Sequence, residues 1–213
     1  MSDILYPNQV EYLEKLRREE DSLILEIELF AKKNKIPILN WNAAEFLEQL
    51  IKIHTPKKVL EIGTAIGYST IRIAKNLNDN SFVETIDFSP SSIAIAKTNF
   101  EKSDMNPKIK QLEGNALQIL PSLSIKYDFI FLDAYKKDYI NLFNLSLKLL
   151  KQDGIIFVDN LLWQGFTASK TVPEKFRSST TQIRNFNQLF VNEPSLKATI
   201  LPIGDGIGLG IKK

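Results

Sequence analysis

What most limits the fold of this chain is a rhythm that sets in after residue 57. Short apolar runs at 58–62 "KVLEI", 82–87 "FVETID", 108–112 "KIKQL", 128–132 "DFIFL" and 154–158 "GIIFV" alternate with helix-length segments at 68–77, 91–102, 115–122 and 139–150. Strands spaced by helical patterns of this length indicate βαβ units. Several runs are apolar at nearly every position, as strands are when helices cover both faces of a sheet. The pattern predicts an open, mostly parallel α/β sheet. The ending "ATILPIGDGIGLGIKK" reads as two strands joined around Gly204-Asp205-Gly206, so the sheet should close with an antiparallel hairpin.

Upstream, Val10, Leu13, Leu16, Leu23, Ile27 and Phe30 fall near helical spacing, which predicts one long amphipathic helix over 9–34. Pro37 ends that pattern and leaves "KIPILNW" as an extended linker. Residues 42–53 predict a second helix, stopped by "HTPKK". A polar segment at 167–181 reads as a loop ahead of a last helix near 182–191. With 213 residues and no repeat or linker, the expectation is a single domain, with N-terminal helices over 1–55 and an α/β core over 56–213.

Composition narrows the class. The chain has no Cys, so disulfides, thiolate metal sites and a Cys nucleophile are out, and a cytoplasmic location is expected. No apolar run reaches the roughly 18 residues of a membrane helix, and "MSDILYPNQVEYLEKLRREE" lacks a signal-peptide pattern, so no membrane partner is expected. A net charge of +2 argues against a protein coated for nucleic acid, and local clusters such as Lys136 and Lys137 leave RNA binding open.

In open α/β sheets ligands bind beyond the carboxyl ends of the strands, which directs attention to the residues there. The first strand delivers Glu61 and the turn "GTAIG", with Gly63 and Gly67 but Ala65 where a dinucleotide turn has its middle glycine. The second delivers Asp87, 24 residues after Gly63, in place to accept hydrogen bonds from a ribose diol. The third leads into "EGNA" with Asn115, the fourth ends in Asp133, and the fifth in Asp159-Asn160. Each taken singly is a common turn or cap residue; together they outline one sheet edge. Asp133, Asp159 and Asn160, three oxygen ligands without Cys, suit a hard divalent cation such as Mg²⁺ rather than zinc. The lone His54 reads as a capping or surface residue at a helix end. Lys136 reads either as a solvated lysine or, since an amine beside a cation gives up its proton more readily, as a base for a substrate hydroxyl.

"VLEIGTAIGYS", "FIFLDAYKKDY" and "IIFVDNLLWQG" resemble the three signature stretches of the cation-dependent S-adenosylmethionine O-methyltransferases, the group of the catechol and caffeoyl-CoA methyltransferases. Within it, the spelling "IPIL…PKKVLEIGTAIGYS…PIGDGI…KK" is most similar to bacterial tRNA 5-hydroxyuridine methyltransferases. The resemblance implies a Rossmann-like class I methyltransferase with a seven-stranded, mostly parallel sheet. It implies that Glu61, Gly63, Thr64 and Ser69 shape the pocket for the methionine part of the cofactor. Asp87 would hold the ribose, Asn115 and Ala116 would border the adenine, and Leu39 would cover the cofactor from the N-terminal side. Asp133 would stand between cofactor and metal, Asp159 and Asn160 would complete the Mg²⁺ ligands, and Lys136 would lie next to the reacting oxygen. Asn115 replaces the Asp of many relatives, and Asp87 is a methylene shorter than their Glu.

The activity so implied is methyl transfer from S-adenosylmethionine to the 5-hydroxyl of a tRNA wobble uridine in the anticodon region, by a homodimer. The alternative substrate is a small catechol-like or phenolic metabolite. Trp163 and Phe166 read equally as stacking platforms for such a ring and as packing anchors. An NAD-dependent dehydrogenase shares the sheet and the ribose acid, but Ala65 and Glu61 count against it. A silent cofactor- or RNA-binding module stands as the non-enzyme alternative.

Overall fold

The computed structural model describes residues 6–213; the reading of the first five residues lies outside the described ones. Along the chain run α1 (Pro7–Leu16), α2 (Ser22–Asn34), α3 (Trp41–His54), β1 (Lys58–Ile62), α4 (Tyr68–Asn76), β2 (Phe82–Asp87), α5 (Pro90–Lys102), β3 (Ile109–Glu113), α6 (Ala116–Ile119), β4 (Tyr127–Leu132), α7 (Tyr139–Leu149), β5 (Leu150–Val158), α8 (Glu174–Val191), β6 (Leu196–Leu201) and β7 (Ile207–Lys212). The seven strands form one sheet in the order β3-β2-β1-β4-β5-β7-β6. Every pairing is parallel except those of β7, which runs antiparallel to β5 and β6. The mostly parallel sheet with its C-terminal antiparallel hairpin is therefore as expected.

Strand residues alternate between two apolar layers. Val59, Val83, Phe129, Phe131, Ile155 and Phe157 pack under α2, α3, α4 and α5. Leu60, Ile62, Ile86, Ile130, Leu132, Ile156 and Val158 pack under α7 and α8. Both faces are dry, which is why the strands read as continuous apolar runs.

Two expectations are corrected. The single helix over 9–34 is two helices, broken at residues 17–21. Arg17 takes an extended conformation (φ −62°, ψ 135°), and its guanidinium turns inward to bond Glu28 at 2.6 and 2.8 Å. Asp21 then caps α2 by accepting from the Leu23 and Ile24 N–H groups. Helical spacing on both sides of the break concealed it, because the charged residues between carry no apolar signal. The second correction concerns α8, which starts at Glu174 and not near 182. Pro173 sets its entry, and half-buried Phe176 leads into the buried stripe of Thr180, Ile183, Phe186 and Phe190. The polar surface of its first turns hides that stripe in the sequence.

The register positions the site. Ile62 pairs with Ile86 and Leu132, and Leu132 with Val158. The next residues, Gly63, Asp87, Asp133 and Asp159, therefore stand in one row along the carboxyl edge of the sheet. Backbone bonds continue the ladder through that row: Gly63 N–H to the Ile86 carbonyl, Asp133 N–H to Ile62 and Asp159 N–H to Leu132.

Candidate active site

A cavity of about 1090 Å³ opens beyond this row, just above the roughly 300–1,000 Å³ usual for small-molecule sites. Leu39, Gly63, Asp87, Asn115, Ala116, Asp133, Lys136, Asp159 and Asn160 line it. Glu61, Thr64 and Ser69 do not; all three are buried beneath the turn.

The turn explains its own spelling. Gly63 sits at φ 107°, and a Cβ there would lie 1.7 Å from the Asp133 carbonyl oxygen, so β1 and β4 can end side by side only with glycine. Ala65 adopts a left-handed conformation (φ 45°), and its N–H donates to Asp87 Oδ2 at 2.8 Å. The Asp87 carboxylate also accepts from the Ser89 N–H at 2.9 Å, so it braces the turn from the neighbouring strand while lining the cavity. Below, Glu61 accepts hydrogen bonds from the hydroxyls of Ser69 (2.5 Å), Thr70 and Thr85 (2.6 Å). Burial pushes its pKa up to about 7, against the pull of those hydroxyls. Thr64 joins the same network through the Thr85 hydroxyl at 2.6 Å. Asn115 caps α6 by accepting from the Leu117 N–H.

At the other end of the row Lys136 Nζ lies 2.5 Å from Asn160 Oδ1, 3.2 Å from Asp133 Oδ1, 3.2 Å from the Ala134 carbonyl and 2.5 Å from the Tyr139 hydroxyl. Tyr139 is fully buried, and burial with the charges of Asp133 and Asp159 holds its pKa well above the usual phenol value. Its hydroxyl thus keeps its proton and donates to the Asp159 carbonyl at 3.1 Å. Trp163 closes the wall, its ring 5.8 Å from Lys136 Nζ, and Phe166 stacks on Phe176 at 5.0 Å as a packing anchor. Among the described residues no three His, Cys, Asp or Glu side chains gather into a metal-binding group; the third oxygen beside Asp133 and Asp159 is the Asn160 amide. The donor set nevertheless fits a hard cation. Asp159 is buried with Oδ1 lacking any protein partner, and burial together with the charge of Asp133 raises its pKa. Burial disfavours the ionised carboxylate, and a cation held there would offset that cost.

Tyr139 and Asp205 carry no signal of their own in the sequence: one opens α7 and the other sits in the β6–β7 turn, and only spatial proximity to the site marks them. His54 sits at the opposite edge, its ring Nε2 3.1 Å from the Asp128 carbonyl, a bystander as expected.

A doubly wound sheet with β7 inserted between β5 and β6 is the α/β fold of solved O-methyltransferase structures. The O-methyltransferase family profile matches residues 10–213, and the chain belongs to that family. A caffeoyl-CoA O-methyltransferase of Petunia hybrida is 31% identical over 96% of this chain and 85% of its own. A catechol O-methyltransferase of Niastella koreensis is 29% identical, with all of both chains covered. The crystal structure of an O-methyltransferase from Bacillus cereus in complex with SAH matches with a TM-score of 0.84 and 28% identity, covering 95% of this chain and 96% of that one. The chain is an S-adenosylmethionine-dependent O-methyltransferase. No helix among the described residues is long and apolar enough to cross a membrane.

Proposed function

We propose that this enzyme methylates a hydroxyl standing beside a second oxygen, with Mg²⁺ or another hard divalent cation held by Asp133, Asp159 and Asn160. The convergence of Lys136 with those three residues, next to the glycine turn, carries the reading. When bound, S-adenosylmethionine supplies an electrophilic methyl group on sulfur, and the cation supplies positive charge that acidifies the acceptor hydroxyl. The rest is the work of the chain. Gly63 and its turn hold the methionine end, shaped from beneath by Glu61, Thr64 and Ser69. Asp87 binds the ribose hydroxyls, Asn115 and Ala116 border the adenine, and Leu39 covers the cofactor and keeps water out. Lys136, steadied by the Tyr139 hydroxyl and the Ala134 carbonyl, takes the acceptor's proton at Nζ.

Our first substrate reading is the 5-hydroxyl of a tRNA wobble uridine, giving 5-methoxyuridine; its support is the spelling "IPIL…PKKVLEIGTAIGYS…PIGDGI". The relatives named for catechol and caffeoyl-CoA favour a second, a small phenol with a vicinal oxygen, which presents the same pair of oxygens. Tyr12, Leu16, Leu29 and Phe30 are exposed on α1 and α2, and this supports reading the working form as a homodimer; the cytoplasmic reading rests on the absence of Cys.

Incubation with tritiated S-adenosylmethionine and Mg²⁺ should label hydroxyuridine-containing tRNA and lose that labelling in EDTA. Label entering catechols but never tRNA would overturn the first substrate. Asp159→Ala should abolish turnover while leaving S-adenosylmethionine affinity by calorimetry within a few-fold. Normal cation-dependent turnover in that variant would remove the cation site.

A further inference from the structure

The turn between β6 and β7 is built into the candidate site. The Leu161 N–H donates to the Gly206 carbonyl at 2.8 Å and the Leu162 N–H to the Asp205 carbonyl at 2.9 Å. The Gln164 N–H donates to Asp205 Oδ1 at 2.5 Å. Gly206, at φ 88°, permits this approach, since a Cβ there would lie 2.5 Å from the Leu162 nitrogen. The segment so held has three non-glycine residues in the left-handed region: Asn160 (φ 63°), Trp163 (φ 47°) and Gln164 (φ 54°). Such conformations cost about 1–3 kcal/mol each and persist only where surrounding contacts impose them. Here Asp205 and Gly206 supply contacts, together with Asn187, which bonds the Leu161 carbonyl, and Thr167, which bonds the Leu162 carbonyl.

The other oxygen of Asp205 reaches the site itself. Oδ2 lies 3.4 Å from Asn160 Nδ2, while Oδ1 of the same amide faces Lys136 Nζ. An Asn amide has an acceptor side and a donor side, and a half-turn about its last bond exchanges them. A carboxylate only accepts, so it favours the orientation that turns NH₂ toward it and repels the one that turns the oxygen toward it. At 3.4 Å the hydrogen bond is weak, and the selection is chiefly electrostatic. Asp205 is half-buried against the site, where water screens that field less than at the surface.

We propose that Asp205 is a positioning residue that locks the Asn160 amide with its oxygen, not its nitrogen, presented to a hard cation. The proposal rests on the cation reading of Asp133, Asp159 and Asn160. Asp205→Asn separates its two tasks. The replacement amide keeps one oxygen for the Gln164 N–H, but its NH₂ then faces the Asn160 NH₂ and works against the orientation that Lys136 Nζ, 2.5 Å from Asn160 Oδ1, favours from the other side.

Mn²⁺ binding to the protein without cofactor or acceptor, read by electron paramagnetic resonance, should weaken about tenfold to a hundredfold in D205N, the range for partners that orient metal ligands. N160D has two equivalent oxygens and nothing to orient, so adding D205N to it should cost only the lost charge, a much smaller factor. Equal weakening in both backgrounds would mean that Asp205 acts through its charge alone, and would overturn the proposal. Unchanged Mn²⁺ affinity in D205N would overturn it too, with the cation site intact. A wild-type protein that binds no Mn²⁺ would remove the cation reading and this proposal with it. S-adenosylmethionine affinity, expected to stay near wild type, reports whether D205N is folded. If it is not, D205S carries the same comparison, its hydroxyl serving as the local acceptor for the backbone N–H.

Discussion

At the scale of single residues, Glu61 shows how a strand residue serves a turn it does not enter. It shares the face of Val59, and its register partner Thr85 lies beside it, so the β1–β2 pairing itself supplies one of its three hydroxyl donors. Burial raises its pKa from 4.5 to about 7. The folded protein therefore holds this proton more tightly than the unfolded chain, and stability falls as pH rises from about 4.5 through about 7. Glu61→Gln keeps a neutral side chain at every pH. We expect urea denaturation to show E61Q gaining on the wild type across that window, with little difference on its acid side. A pH-independent difference would mean that the carboxyl has the same pKa folded and unfolded, its hydroxyl partners offsetting its burial. That Glu61 ends an apolar run before a glycine turn was legible in the sequence; that it lies under the turn and not in the cavity depends on the face it takes in the sheet.

At the scale of elements, the break between α1 and α2 is held by charge. The Arg72 side chain on α4 is almost wholly buried. Its guanidinium bonds Glu48 of α3 at 2.6 Å and Glu19 of the break, and it lies over the Tyr68 ring at 4.9 Å. Tyr68 in turn donates to Glu28 of α2 at 2.5 Å, the acid that also holds Arg17. Removing one partner of a buried ionic cluster leaves the others uncompensated, at a cost of about 3–5 kcal/mol. Arg72→Met should lower unfolding free energy by about 3 kcal/mol, read as a shifted urea midpoint with unchanged slope. A loss below about 1 kcal/mol would place the cluster with ordinary surface pairs. In the sequence, "RREED" reads as the outer surface of one helix, because its partners lie 11 to 54 residues away on α2, α3 and α4.

For the whole molecule, the cavity lies where the strand order reverses between β1 and β4, and the N-terminal linker closes over it at Leu39. Binding to the folded state alone raises stability by about 2.7 kcal/mol at a hundredfold excess over Kd, or about 5–10 °C in Tm for a domain of this size. S-adenosylmethionine should produce a rise of that order and NAD none; the reverse would overturn the assignment of this cavity as the S-adenosylmethionine site.

The sequence by itself determined the strands, the glycine turn between β1 and α4, and the row formed by Gly63, Asp87, Asp133 and Asp159. Each of these follows from local apolar runs and from the rule that parallel strands end together at one edge. Only the tertiary structure decided that Glu61 braces the turn, that Arg72 gathers the N-terminal helices, and that Asp205 stands against Asn160. Those partners are far apart in the chain. The insertion of β7 beside β5 brings Asp205 and Asn160 together, and no local spacing encodes which strand will lie next to which.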